Sequence, residues 1–330
     1  MRTFVLSGGG NRGPLQAGAI KALLEHNILP EMIVGSSVGA LNGAYLAAEP
    51  TVAQAGRMIA LWRDAGRRKL FGTTPVRAVL RALRGSDHLT DNRRIRAYIE
   101  ASLPQGVRSF GDLQVPLYVT ICHLLTQTLY VYGDDPNAPL IDAVLTSAAV
   151  PGFFPPTYHN GQAFVDGGVM SNLPIKVALA HGATEIWALD LAFEVDAGLT
   201  FKGALDIAGY AIKRSLYSLA LRELEAAVQT PGVTVHHIAL RAYPNLQLGD
   251  FSKTEEMLAE GERTMRAYLA HPKPNVVHYP RRYTPRSLPP GPPGSRPFVE
   301  PPGHSVERDL PQPVATGSHT SPKAQPDRRA

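Results

Sequence analysis

The chain has few cysteines and no long apolar run, and each shortage excludes a class of protein. Cys122 is the one cysteine among 330 residues, so no internal disulfide can form, and its apolar neighbours at 115–125 predict core packing. No stretch reaches the roughly 18 apolar residues that a membrane-spanning helix needs. The apolar run before the first glycines, residues 4–6, is too short for a signal peptide. We expect a cytoplasmic protein whose contact with any membrane is peripheral.

Aromatic residues are also sparse, at 7%, and no aromatic platform accompanies the basic charge, so no nucleic-acid partner is expected. The net charge of +5 is unevenly placed, because residues 57–96 hold eleven Lys or Arg and three Asp, a local balance of +8. Within this stretch an apolar stripe alternates with arginines, as in a short basic amphipathic helix. The stripe is Val76, Val79, Leu80 and Leu83, and the arginines are Arg77, Arg81 and Arg84. Such a helix either packs on the core or contacts an anionic membrane surface.

Composition divides the chain into a domain and a tail. Twelve of the 29 prolines follow Tyr283, and residues 284–330 include few large apolar side chains. A segment of this kind buries too little surface to offset its ordering entropy. We therefore predict a folded domain at 1–280, with a helical basic insertion at 51–103, and a disordered proline-rich tail at 281–330.

Ser37 lies at the centre of a G-x-S-x-G pattern. Residues 32–34 form an apolar run typical of a buried strand, and residues 40–48 are mostly small residues that favour a helix. A strand that turns sharply into a helix holds such a serine in a strained conformation, and side chains at Gly35 or Gly39 would crowd the turn. The helix also presents the positive end of its dipole to the serine. The pattern predicts Ser37 as a nucleophile.

A glycine cluster follows the first predicted strand, residues 3–7, and leads directly into a helix. Bare amides at a helix start bind either a phosphate or a developing oxyanion. Three of these glycines, Gly8, Gly10 and Gly13, also fit the dinucleotide-binding fingerprint, which needs an acidic residue at the end of the next strand. That position holds Ser36 and Ser37. The oxyanion interpretation is therefore preferred.

Asp166 begins a third glycine pattern, followed by Gly167 and Gly168. Asp-Gly is a common hairpin signal, so a simple turn is one interpretation. However, the residues after Gly168 do not alternate like a returning strand, and a serine nucleophile needs a base. Asp166 is therefore predicted as that base.

In this order and approximate spacing, the three patterns resemble the patatin-like phospholipase family, lipid acyl hydrolases that share a fold with the catalytic domain of cytosolic phospholipase A2. The resemblance runs from about residue 2 to about residue 269, and residues 147–156 are similar to the family segment that leads into the aspartate strand. It implies a catalytic dyad of Ser37 and Asp166. The oxyanion loop would be Gly8, Gly9 and Gly10, with supporting roles for Arg12, Gly13, Gly35, Gly39, Gly167 and Gly168.

The family mechanism requires no cofactor and no metal. Arg12 would hold the glycine loop or meet a lipid phosphate, and Gln16 stands where many members have a histidine outside the dyad. A Ser-Asp-His triad is an alternative, because Asp190 and His237 follow Ser37 in the order of an α/β-hydrolase. That fold builds several strands before its serine, whereas this sequence offers two. The dyad is therefore favoured.

The resemblance implies a serine hydrolase that cleaves fatty acyl esters of phospholipids or lysophospholipids. Two alternatives remain open: a carboxylesterase or acyltransferase that uses the same dyad on small acyl esters, and a non-catalytic lipid-binding protein. The alternation of predicted strands and helices indicates an α/β three-layer sandwich with a mostly parallel central sheet. The two longest helical stretches, 51–96 and 201–228, are predicted to cover the site as a lid.

Overall fold

The computed structural model describes residues 1–68, 92–191, 203–243, 246 and 249–279, and its central feature is an eight-stranded mixed sheet. The strands are β1 (Arg2–Leu6), β2 (Met32–Gly35), β3 (Leu117–His123), β4 (Thr128–Tyr132), β5 (Thr157–His159), β6 (Gln162–Asp166), β7 (Glu185–Asp190) and β8 (Thr234–Ala239). Five of them run parallel in the order β3-β2-β1-β7-β8. The other three pair antiparallel, β4 and β6 with β3 and β5 with β6.

Helices cover both faces of this sheet. They are α1 (Gly13–Glu25), α2 (Val38–Ala48), α3 (Val52–Arg68), α4 (Arg93–Ser102), α5 (Leu140–Ser147), α6 (Ile175–Ala180), α7 (Ala204–Val228) and α8 (Thr254–Ala270). Within the described part of the chain, no helix is long and apolar enough to cross a bilayer.

Successive side chains along each strand point to opposite faces of the sheet and pack into two separate cores. In β1, Phe4 and Leu6 pack with buried residues of α1, α2, α3, α4, α5 and α8. Val5, between them, packs with α6 and α7 on the opposite face. The sequence prediction of a three-layer α/β/α sandwich with a mostly parallel sheet is therefore confirmed.

Helices α1 and α8 cross in direct backbone contact. A Cβ added to Gly18 would lie 2.1 Å from the Leu258 carbonyl oxygen, and one added to Gly261 would lie 1.9 Å from that of Leu15. Any side chain at either glycine would separate the helices, since real Cβ atoms do not approach other atoms this closely.

Helix α7, Ala204–Val228, agrees with the helical stretch predicted at 201–228. The short strand β5 was not predicted, because its three residues carry too little pattern to separate them from a loop. The arginine and apolar stripe at 76–84 and the tail at 281–330 lie outside the described residues.

Candidate active site

Ser37 occupies the turn between β2 and α2. Its φ of 55° and ψ of −123° belong to a region that residues with side chains rarely adopt. A Cβ on Gly35 would lie 2.6 Å from the Gly39 carbonyl oxygen, and one on Gly39 would lie 2.1 Å from the Leu6 carbonyl oxygen. The elbow therefore needs both glycines, and it places the serine just beyond the carboxyl end of β2.

The glycine loop lies against the elbow. A Cβ on Gly8 would be 3.1 Å from the Ser37 Cβ, and the Gly8 amide donates to the Asn172 carbonyl oxygen at 2.9 Å. Gly10 has a φ of 58° and begins a 3-10 turn that ends at Arg12. Among the described residues, no backbone carbonyl accepts a hydrogen bond from the Gly9 or Gly10 amide. Amides in this setting can bind an oxygen that becomes negatively charged.

Asp166 ends β6 and is followed by a 3-10 turn, Gly167–Val169, rather than by a returning strand. Its carboxylate accepts a hydrogen bond from the Gly168 amide at 2.7 Å. A Cβ on Gly167 would lie 2.3 Å from the Thr120 carbonyl oxygen, and one on Gly168 would lie 2.9 Å from Asn172 Oδ1. These glycines allow the chain to turn tightly around the carboxylate, so the hairpin alternative for this Asp-Gly pair is wrong.

The Ser37 hydroxyl lies beside the Asp166 carboxylate, close enough to lower its pKa. Both residues are 6% exposed. Burial raises the pKa of Asp166 to about 6, because the charged carboxylate loses solvation, while the Ser37 hydroxyl and the Gly168 amide partly oppose the shift. The carboxylate is therefore more basic than an ordinary aspartate and still ionised at neutral pH.

Arg12 is buried, at 3% exposure, and its guanidinium donates to the Leu191 carbonyl oxygen at 2.7 Å. Leu191 in turn donates its amide proton to Ser7 Oγ at 2.8 Å, and its side chain occupies the space where Gly9 would carry a Cβ. Burial lowers the pKa of Arg12 to about 10, an effect that the nearby charge of Asp190 partly offsets. These contacts favour support of the glycine loop over contact with a lipid phosphate.

The histidines of the triad alternative are engaged elsewhere. His237 Nε2 lies 3.3 Å from Asp190 Oδ2, and the His278 amide donates to His237 Nδ1 at 2.9 Å. Because Nδ1 accepts that proton, the ring's own proton is on Nε2 and is donated to Asp190. Both ring nitrogens are thus occupied by groups other than the serine. His236 Nδ1 likewise lies 2.9 Å from the Tyr268 hydroxyl.

Three polar residues hold the site without having been assigned from the sequence. Ser147 Oγ accepts a hydrogen bond from the Ser37 amide at 2.9 Å, and Asn172 Nδ2 donates to the Gly8 carbonyl oxygen at 3.3 Å. Gln16 Nε2 donates to two backbone carbonyl oxygens, at 2.9 and 3.1 Å. All three lie within or directly after the motifs used for prediction. This proximity in sequence is the one signal that could have identified them.

An apolar pocket of about 690 Å³, measured with its open mouth, begins at Ser37. Helices α2, α3, α4 and α5 and the segment after α5 supply most of its wall. Its apolar lining includes Val38, Leu41, Trp62, Ile95, Ile99, Val144, Leu145, Val150, Phe153, Phe154 and Phe251. The Trp62 ring also fills the space next to Gly13, where a Cβ would lie 2.3 Å from it. Among the described residues, no group of three His, Cys, Asp or Glu is arranged to bind a metal ion.

The two stretches predicted as a lid have different positions. Helices α3 and α4 of the first stretch contribute to the pocket wall. The second half of α7 instead packs in the opposite layer of the sandwich, through Tyr217, Leu221 and Leu224. The second half of α7 therefore does not form the predicted lid, because its apolar face packs on the side of the sheet opposite the pocket.

The family of this chain follows from its match to a sequence profile described as patatin-like phospholipase, which covers residues 4–179, more than half of the chain. The chain belongs to the patatin-like phospholipase family. The match includes the glycine loop, the elbow and Asp166, so the resemblance inferred from the sequence is confirmed at the level of the family of lipid-ester hydrolases.

Relatives of this patatin-like chain are much longer proteins. Lysophospholipase NTE1 of Mycosarcoma maydis is 30% identical over 196 residues, which are 57% of this chain and 9% of that protein. Neuropathy target esterase sws of Drosophila melanogaster is 28% identical over 63% of this chain and 14% of its own length. Among solved structures, VipD from Legionella pneumophila is similar with a TM-score of 0.43 and 15% identity, over 82% of this chain and 66% of that one. The chain thus spans a small part of these curated relatives.

Proposed function

We propose that this protein hydrolyses fatty acyl esters of phospholipids or lysophospholipids, with Ser37 as the nucleophile and Asp166 as the general base. The observation that carries the proposal is the placement of the Ser37 hydroxyl beside a buried carboxylate, at the mouth of an apolar pocket. Membership of the patatin-like phospholipase family supports it, as does the lysophospholipase name of a relative.

In the proposed reaction, Asp166 takes the hydroxyl proton as Ser37 Oγ attacks the ester carbonyl carbon. The carbonyl oxygen becomes an oxyanion that the Gly9 and Gly10 amides would bind, each donor contributing about 3 to 4 kcal/mol. The Gly8 amide, predicted as a third donor, is already donated to the Asn172 carbonyl oxygen. When the tetrahedral intermediate collapses, the ester bond breaks and Asp166 returns the proton to the leaving alcohol. Water then attacks the acyl-enzyme by the same route, which releases the fatty acid and restores the serine.

The raised pKa of Asp166 suits this role. A carboxylate with a pKa of about 6 is a stronger base than an ordinary aspartate, yet it remains mostly ionised at pH 7 and can accept the proton. No histidine is needed as an intermediary.

The pocket supports a long acyl chain as the group next to the scissile ester. Its lining side chains are apolar in all but a few positions, so it can accept methylene groups with a gain of about 0.8 kcal/mol for each one buried. A panel of esters with acyl chains of increasing length measures this gain. Rates that do not rise with chain length would favour the small-ester carboxylesterase or acyltransferase alternative.

A fluorophosphonate probe tests the nucleophile. It is expected to label the native protein and the Ser36→Ala variant, and to leave Ser37→Ala unlabelled, because the probe reacts with an activated serine. Ser36 is the matched control, since it is the adjacent serine and is also buried. Labelling that persists in Ser37→Ala would refute the assignment, and a native protein that never labels would favour the non-catalytic lipid-binding alternative.

A further inference from the structure

Two hairpins, β3–β4 and β5–β6, extend past the carboxyl ends of the parallel strands, where Ser37 lies. Gly35, two residues before the serine, pairs with Val119 of β3, and Asp166 pairs with Ile121 two residues further on. Strand β3 then continues to its turn at 124–127. At about 3.3 Å per residue, the tip of that turn lies about 13 Å beyond the level of Asp166.

The tips of the two hairpins are neighbours, and we call them together the rim hairpins. The Leu124 amide donates to the Ala163 carbonyl oxygen at 2.9 Å, which joins the β3–β4 turn to β6. The rings of Tyr130 and Phe164 meet edge to face with centroids 5.5 Å apart. The rim hairpins are therefore one continuous surface.

This surface carries no formal charge. Residues 117–132 and 147–165 contain no Asp, Glu, Lys or Arg, although 18% of the chain is charged and about six such residues would be expected in segments of this length. An exposed hairpin that meets only water usually carries charged side chains, because they keep sheet edges soluble.

Large apolar side chains are exposed on the same surface. Leu125 is 85% exposed, Tyr158 61%, and Leu124 and Tyr130 44% and 48%. These are four of the ten large apolar residues that are exposed in the described part of the chain, so they form a cluster rather than a scatter. Clusters of this kind mark interaction surfaces.

The rim hairpins are continuous with the pocket. The segment that leads from α5 into β5 lines the pocket with Val150, Phe153 and Phe154 and reaches the exposed Tyr158 four residues later. The basic stretch 57–96 is less suited to lipid in its described part, where Arg57, Arg63, Arg68 and Arg96 pair with Glu49, Glu255, Asp64 and Asp142.

We propose that the rim hairpins insert their apolar side chains into the surface of a lipid bilayer and so bring the mouth of the pocket to the substrate. The partner is a zwitterionic or neutral lipid surface, because the rim hairpins have no charge with which to select anionic headgroups. Leucine contributes apolar area to such an interface, and tyrosine suits it because its ring is apolar and its hydroxyl polar. The proposal rests on the proposed lipid substrate.

The test uses the full chain with Ser37→Ala, so that binding is measured without hydrolysis. Co-sedimentation with phosphatidylcholine vesicles at 0.1 and 1 M NaCl is compared for this protein and for a version that also carries Leu124→Ser and Leu125→Ser. The double change is expected to lower the partition coefficient at least about tenfold, equally at both salt concentrations. Leu29→Ser is the matched control, since Leu29 is 46% exposed but precedes β2 at the opposite edge of the sheet, and it is expected to leave binding unchanged.

The same double change in the catalytically intact chain should leave hydrolysis of a soluble short-chain ester unaltered and lower hydrolysis of vesicle lipid. Equal losses on both substrates would overturn the proposal, because the hairpins would then support the site itself. Unchanged vesicle binding would also overturn it, as would binding that requires anionic lipid and disappears at 1 M NaCl. A lipid-free dimer that the double change dissociates would assign the rim hairpins to a second copy of the chain. A protein that binds vesicles through these residues but never labels with fluorophosphonate would refute the proposed function alone.

Discussion

Two buried aspartates lie near the carboxyl edge of the parallel strands, and their neighbours differ. Asp190 at the end of β7 accepts a hydrogen bond from His237. It also lies close enough to the buried Arg12 guanidinium to raise the pKa of Arg12. The groups that lower the pKa of Asp166 are neutral, the Ser37 hydroxyl and the Gly168 amide. With no cation to offset its burial, Asp166 becomes more basic. The neighbours of Asp190 therefore suit a structural group, and those of Asp166 suit the proton transfer proposed for it.

The largest expected difference between the two sites is in activity. Asp166→Asn should lower kcat/KM by about 10³-fold or more, because the amide cannot accept the serine proton. His237→Gln, which keeps a donor for Asp190, should stay within about tenfold of the native value. Both are measured on a soluble ester, with circular dichroism to check the fold. A 10³-fold loss in a folded His237→Gln would restore the triad.

The second expected difference is in stability and depends on pH. The pKa of Asp166 is raised in the folded protein to about 6, above the ordinary value of about 3.9. The folded protein therefore binds the Asp166 proton more tightly than the unfolded chain does. The stability that this carboxyl contributes is fully present below about pH 4 and is lost as the pH rises through 6. Asp166→Asn does not ionise, so at pH 8 it should unfold with a free energy up to about 3 kcal/mol higher than the native protein.

This gain is measured by urea unfolding at pH 4 and pH 8. The difference between native and Asp166→Asn should be small at the lower pH and largest at the higher one. Asp135→Asn is the control, since Asp135 is exposed and its substitution should change stability only slightly. A variant that is less stable than the native protein at pH 8 would contradict the raised pKa.

The smallest expected effect concerns His237 as a structural group. His237→Ala should lower the free energy of unfolding by about 2 kcal/mol, because it removes a hydrogen bond to a buried carboxylate and leaves that carboxylate without its donor. His271→Ala, at an exposed position, should remain within about 0.5 kcal/mol of the native value. Both variants are measured by denaturant unfolding. If His237→Ala and His271→Ala lowered stability equally, the hydrogen bond between His237 and Asp190 would have no structural role.

The sequence was most informative where the structure depends on neighbours along the chain. The elbow around Ser37 was predicted because Gly35 and Gly39 are required by a local turn. The pairing of Asp190 with His237 joins two strands, and the burial of Arg12 depends on a residue 179 positions away. Periodicity cannot say which face of the sheet a helix covers, which is why α7 was expected near the pocket. Long-range contacts of this kind leave no local pattern to detect.

Gly18 and Gly261 join the first helix to the last across about 240 residues of sequence. The family match ends at residue 179, after both Ser37 and Asp166 but before β7, β8 and α8. A nascent chain that has reached this point would hold both residues of the proposed dyad, yet the parallel strands β7 and β8 would be missing and the backbone of α1 would have no α8 to cover it. Because contacts so distant in sequence form late, the site is expected to remain incomplete until the ribosome has delivered Thr254–Ala270. Synthesis of the proposed catalytic residues and appearance of activity would thus be separated in time, which would keep an unfinished hydrolase inactive.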